Sequence, residues 1–222
     1  MDLENNNKKI TESQREDKSD WFFYFLVILI AFYIIIKTVH WPIEKSIDVL
    51  LLQQSKPIEN LQTAHDTIFI ADFAVDTIHF PEGEYFYHEN FGYSEFKNDF
   101  FLKLQTQMET LKSGKYNFSI RSDDGFKLTI DNTVICAHPN GRPMEETLCS
   151  TTLNKGLHHF EIYYYQGFGY LGLEARYEFD SSQNPMNKST LPNHSLNMQL
   201  IGRESETVKF HPMPIAKLYV NQ

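Results

Sequence analysis

The chain has 222 residues, a net charge of −9 and 22 % charged residues, enough length for one sizeable domain with its own core. Residues 1–20 account for −2 of that charge, so −7 belongs to the remainder. With no basic stripe anywhere, a nucleic-acid partner is excluded. Aromatic residues make up 14 %, including 18 Phe and 12 Tyr, a composition that favours rings packed on pleated, half-buried sheet.

Residues 1–20 are polar and mixed in charge, and composition predicts a disordered cytoplasmic tail. Trp21 to Ile36 then reads WFFYFLVILIAFYIII, without charge, Gly or Pro. Extended to Trp41 it spans roughly 31 Å as a helix, close to the hydrocarbon thickness of a bilayer. Trp21 and Trp41 suit the two interfaces, and Lys37 can snorkel. No small-x-small cleavage site follows, which argues against a removed signal peptide. The expectation is a single-pass, uncleaved transmembrane helix over 21–41 in the inner (cytoplasmic) membrane. The N-terminus lies in the cytoplasm and the C-terminal domain is periplasmic or extracellular.

After Pro42, the residues Ile43, Ile47, Leu50 and Leu51 recur at i, i+4, i+7 and i+8. That spacing predicts an amphipathic helix within a helical stalk and linker over 42–66, which continues the anchor, lies on the membrane surface or pairs with a protein partner. From Thr67 the period becomes two. Phe100, Leu102, Leu104, Thr106 and Met108 share one face, and the same alternation marks Tyr116–Ile120, Phe126–Ile130, Phe160–Tyr164 and Leu173–Tyr177. Turn signals separate these runs at Ser113-Gly114, Asp123-Asp-Gly125, Asp131-Asn132, Asn154-Lys-Gly156 and Gly167–Gly172. Short strands at this spacing predict an all-β fold, an antiparallel β-sandwich over 67–179. Residues 180–198 form a Ser/Asn/Pro linker. Residues 199–222 are a C-terminal extension that either adds an edge strand or docks elsewhere.

Two cysteines, Cys136 and Cys149, flank the turn-rich sequence AHPNGRPMEETL. In a reducing cytosol they are buried thiols; outside it, an even count predicts a disulfide bond.

The segment Gly114-Lys-Tyr-Asn-Phe-Ser-Ile-Arg-Ser-Asp-Asp-Gly-Phe-Lys-Leu-Thr-Ile-Asp131 resembles the protective-antigen-fourteen (PA-14) domain family. There a G-x-Y-x-F strand runs into S-D-D-G and then into an alternating strand ending I-D. Asn154–Tyr164 and the glycine-rich stretch Gly167–Tyr177 resemble the family's later strands. The resemblance implies a β-sandwich. In sugar-binding members, such as yeast adhesins, it implies an adjacent Asp pair, joined by a cis peptide, that holds calcium against sugar hydroxyls. Asp123 and Asp124 are the corresponding pair, and two neighbouring carboxylates are a start on an oxygen-rich calcium shell. The same carboxylates can equally cap their own turn. The family's further Asn ligand falls on Gly167, beside Gln166, and glycine offers no side chain. Gln166, Gly167, Phe168 and Tyr170 are therefore the candidate ligand-binding loop, where exposed rings can stack on a sugar or a protein.

Gly167-Phe-Gly-Tyr-Leu-Gly172 spells GxGxxG, but a strand-like run follows it where a dinucleotide fingerprint needs a helix. Paired carboxylates for glycoside cleavage stand at least about 5 Å apart, across a substrate, unlike adjacent residues on one turn. The expectation is a non-catalytic interaction module of an envelope complex. The alternative is a calcium-assisted domain binding cell-wall or surface glycan.

Overall fold

The computed structural model describes residues 21–33, 45–62, 67–181 and 198–214. The chain divides into two compact units, 1–43 and 44–222.

In the first unit, residues 21–33 are helical and their side chains are exposed throughout. An uninterrupted apolar run without Gly or Pro has no helix-breaking residue. Among the described residues, no helix is long and apolar enough to cross a membrane. The rest of the expected span, 34–41, lies outside the described residues, as do the 1–20 tail and Ile43.

The described residues of the second unit form fourteen strands: β1 (Ile47–Gln54), β2 (Thr67–Val75), β3 (His79–Gly83), β4 (Tyr87–His88), β5 (Gly92–Tyr93), β6 (Phe100–Thr110), β7 (Gly114–Asp123), β8 (Phe126–Ile130), β9 (Thr133–His138), β10 (Glu145–Leu153), β11 (Gly156–Gln166), β12 (Leu171–Phe179), β13 (Gln199–Leu200) and β14 (Val208–His211). A seven-stranded sheet has the order β2-β1-β6-β11-β8-β9, with β14 also on β6. A five-stranded sheet runs β10-β7-β12-β13, with β3 also on β12, and β4-β5 is a small hairpin. All pairings are antiparallel.

Alternating residues from both sheets meet in one core, among them Leu102, Leu104 and Ile162 from one side and Tyr116, Phe118, Ile120 and Leu173 from the other. This is the expected sandwich. Its open edge, where β9 ends one sheet and β10 the other, is closed by the Cys136–Cys149 disulfide, with Cα atoms 6.1 Å apart. Asp131 and Asn132 both adopt positive φ, 50° and 63°, in the tight turn between β8 and β9. Asp and Asn are the non-glycine residues that best tolerate this conformation.

The amphipathic helix expected through Ile47, Leu50 and Leu51 is not formed: this segment is the strand β1, hydrogen-bonded to both β2 and β6. Ile47, Val49 and Leu51 point into the core, while Leu50 lies on the other face and is half-buried. A spacing of four satisfies a helix and a strand alike, and neighbouring strands on both sides decide between them. The sandwich therefore begins at 47 rather than 67. Residues 199–214 also belong to it, through β13 on β12 and β14 on β6.

On the opposite face of the seven-stranded sheet, Ile58, Phe101 and Tyr165 form a second apolar cluster with Leu52, Leu61 and Tyr163. It holds down residues 55–62, which reach the loops at the end of β11. Ile58 N–H donates to Asp99 Oδ1 (3.0 Å), Leu61 N–H to the Pro139 carbonyl (3.0 Å), and the Tyr165 hydroxyl to the Glu59 carbonyl (3.0 Å).

Candidate functional site: the acidic turn and the aromatic loop

The end of β7 carries Asp123 and Asp124, joined by a cis peptide bond. Gly125 follows because nothing larger fits: a Cβ there would lie 2.4 Å from Tyr165 Cε1 and 2.6 Å from the His138 carbonyl oxygen. The core delivers a row of rings to this turn, Phe80–Phe86–Phe100–Tyr164, with centroids 4.7, 5.7 and 6.3 Å apart. The Tyr164 hydroxyl contacts both the Asp123 carbonyl and Gln166 Oε1.

Both oxygens of Asp124 face backbone donors. Oδ2 accepts from Gly167 N–H (2.8 Å) and Oδ1 from Arg142 N–H (3.3 Å). The Arg142 side chain anchors the same corner, with Nη2 donating to Ser122 Oγ (3.0 Å) and Nη1 to Thr147 Oγ1 (2.9 Å). Ser122 Oγ in turn donates to the Asp124 carbonyl at 2.8 Å. Asp123 is buried, and its carboxyl is pushed up to about 6 by that burial and by the nearby Asp124 and Glu82 carboxylates, with the Arg142 guanidinium opposing. Burial also raises Asp124, against the pull of its two N–H donors. Arg142 thus addresses the whole pair, by its backbone at Asp124 and by its charge at Asp123.

The candidate loop splits in two. Gln166 is fully buried and braces the bend, accepting from Tyr164 and donating Nε2–H to the Tyr170 carbonyl (2.9 Å). Gly167 is buried as well, and a Cβ on it would meet the Ile58 carbonyl oxygen at 2.8 Å and Asp124 Oδ2 at 3.3 Å. Phe168 and Tyr170 are the outward pair, 86 % and 57 % exposed. Tyr163 and Tyr165 belong instead to the sheet face, packed with Phe101, and burial pushes both phenols up to about 12.

Calcium takes six to eight oxygen ligands. Here one carboxylate of the pair is committed to two N–H groups, the place of a further side-chain ligand is glycine, and the space beside it holds the Ile58 carbonyl. Among the described residues, no group of three or more His, Cys, Asp or Glu is placed to hold a metal ion. A calcium shell at Asp123 and Asp124 would have to be completed by backbone carbonyls and water. Arg142 and the 55–62 segment escape a reading of sequence alone because each reaches the turn only through tertiary closure. A base inside the cysteine loop was the one available signal.

A sandwich whose acidic turn and glycine loop meet at one end defines the class, and the family model of the PA14 domain matches residues 66–187. The chain belongs to the PA14 domain family. Among solved structures it is similar to the PA14 domain of the antifreeze protein MpAFP, at 16 % identity and a TM-score of 0.52, over 63 % of this chain and 85 % of that one. It is also similar to a PA14 sugar-binding domain from an RTX adhesin, at 17 % identity and a TM-score of 0.51, over 61 % and 90 %. No curated protein matches the chain.

Proposed function

We propose that this chain is a membrane-anchored, extracytoplasmic, non-catalytic binding module of an envelope complex, docking a protein partner through its aromatic loop. The observation that carries the reading is the exposed pair Phe168 and Tyr170 on a bend braced from below by Gln166 and by the Gly167–Asp124 hydrogen bond. Rings presented on a rigid base lose little entropy on binding. The apolar run Trp21–Ile36 supports the anchor, and the Cys136–Cys149 bond supports an oxidising compartment.

Glycan binding is the second reading. It is favoured by the similar fold of the sugar-binding adhesin domain and by the capacity of the same rings to stack on a sugar face. Replacing Phe168 by a photoreactive phenylalanine in the full chain, in its own membrane, separates the two. A discrete protein adduct that is lost on Tyr170→Ala is expected. Absence of any adduct, together with saturable glycan binding that Tyr170→Ala abolishes, would overturn the protein reading.

A further inference from the structure

An acidic, aromatic segment follows β3. Between Glu82 and Phe96 the chain contains Glu82, Glu84, Glu89 and Glu95, and no Lys or Arg, interleaved with six Phe and Tyr residues. Gly83, the last residue of β3, pairs with Leu171, the first of β12, so the acidic segment leaves the sheet where the 167–171 bend enters it. The β4–β5 hairpin that follows is firmly built. His88 is buried: its Nε2 donates to the Thr77 carbonyl (3.0 Å) and its Nδ1 accepts from Asn90 N–H (3.1 Å). Its ring packs against Phe80 and Phe91. Asn90 Oδ1 accepts from Asp76 N–H at 3.1 Å.

What the hairpin turns outward is aromatic: Tyr93 is 77 % exposed and packs its ring 4.7 Å from that of Tyr87, and Tyr85 is 44 % exposed. One cation already uses this surface. Lys97 Nζ sits 3.7 Å from the centre of the Tyr85 ring, the distance at which a ring face attracts an ammonium or guanidinium.

We infer that the β4–β5 hairpin, with Glu84 and Tyr85 that lead into it, is a docking surface for a Lys/Arg-rich peptide segment of a protein partner. Ring faces and carboxylates attract the same charge, and the rest of the chain outside residues 1–20 is acidic too, at −7. The fixed hairpin presents both kinds of group without reordering. Charge complementarity makes binding steep in salt. The inference rests on the reading of this end as a protein-docking face and names the chemistry of the partner.

The test uses the full chain in nanodiscs and a fluorescent Arg/Ser peptide, followed by anisotropy. Saturable binding is expected, weakening about tenfold or more when ionic strength rises from roughly 0.05 to 0.5 M. Tyr93→Ser and Glu84→Gln, each checked for an unchanged melting temperature, weaken it by about tenfold. Glu206→Gln, an exposed carboxylate outside the surface, leaves it unchanged. A Gln/Ser peptide that binds equally well, or hairpin variants that bind the Arg/Ser peptide like the parent, overturns the inference. If the photoadduct at position 168 persists while the Arg/Ser peptide fails to bind, only the partner's basic chemistry is wrong and the docking reading stands.

Discussion

Asp123 is held protonated more tightly in the folded chain than in an unfolded one, because burial and the Asp124 and Glu82 carboxylates lift it from 3.8 to about 6. The stability this contributes is whole below the unfolded value near 3.8 and is lost as pH rises through about 6. The difference amounts to about 2 kcal/mol between pH 4 and 7. Asp123→Asn removes the charge and is expected to stabilise the protein at pH 7 and to flatten its stability between pH 4 and 6, as denaturant unfolding at each pH measures. An unchanged pH profile would mean that Asp123 ionises freely. At this scale much was legible. The S-D-D-G motif located the turn, and the alternation through Phe160, Ile162 and Tyr164 points Gln166 inward once it is continued one step. The role of Arg142 was not legible, since nothing local to its position tells which turn it will meet.

β1 shows where periodicity runs out. Ile43, Ile47 and Leu51 are four apart, a spacing shared by helix and strand, and only Leu50 favoured the helix. In the fold, Leu51 is buried against the core and Leu50 is half-buried on the opposite face. Leu51→Ala is therefore expected to cost about 2–5 kcal/mol, and Leu50→Ala clearly less, by denaturant unfolding. Equal and negligible costs would restore a stalk helix. The disulfide acts at the same scale, joining the edge strands β9 and β10 of the two sheets. Cys136→Ser with Cys149→Ser reopens that edge. With twelve residues between the partners, the expected loss is about 3 kcal/mol, read as a lower unfolding midpoint with a steeper denaturant slope, because the unlinked denatured chain is less compact. The main strands from 100 to 177 were readable because alternate residues of each point into one core, whereas β13 and β14 are short and depend on their partners.

Across the second unit, one end of the sandwich gathers the acidic turn, the glycine bend and the 55–62 segment. Groups from the chain itself answer the Asp pair: two N–H donors on Asp124 and the Arg142 guanidinium opposite Asp123. The sequence pattern of the turn is that of the PA14 family, but the ligand set around it departs at Gly167, where only glycine clears the Ile58 carbonyl. The most direct measurement is the melting temperature of the full chain, in detergent, with millimolar calcium or with chelator. The same value is expected in both. A calcium-dependent rise of several degrees, of the size expected from a ligand at a hundred times its Kd, about 2.7 kcal/mol, would show that a cation and not the protein's own groups satisfies the acidic turn.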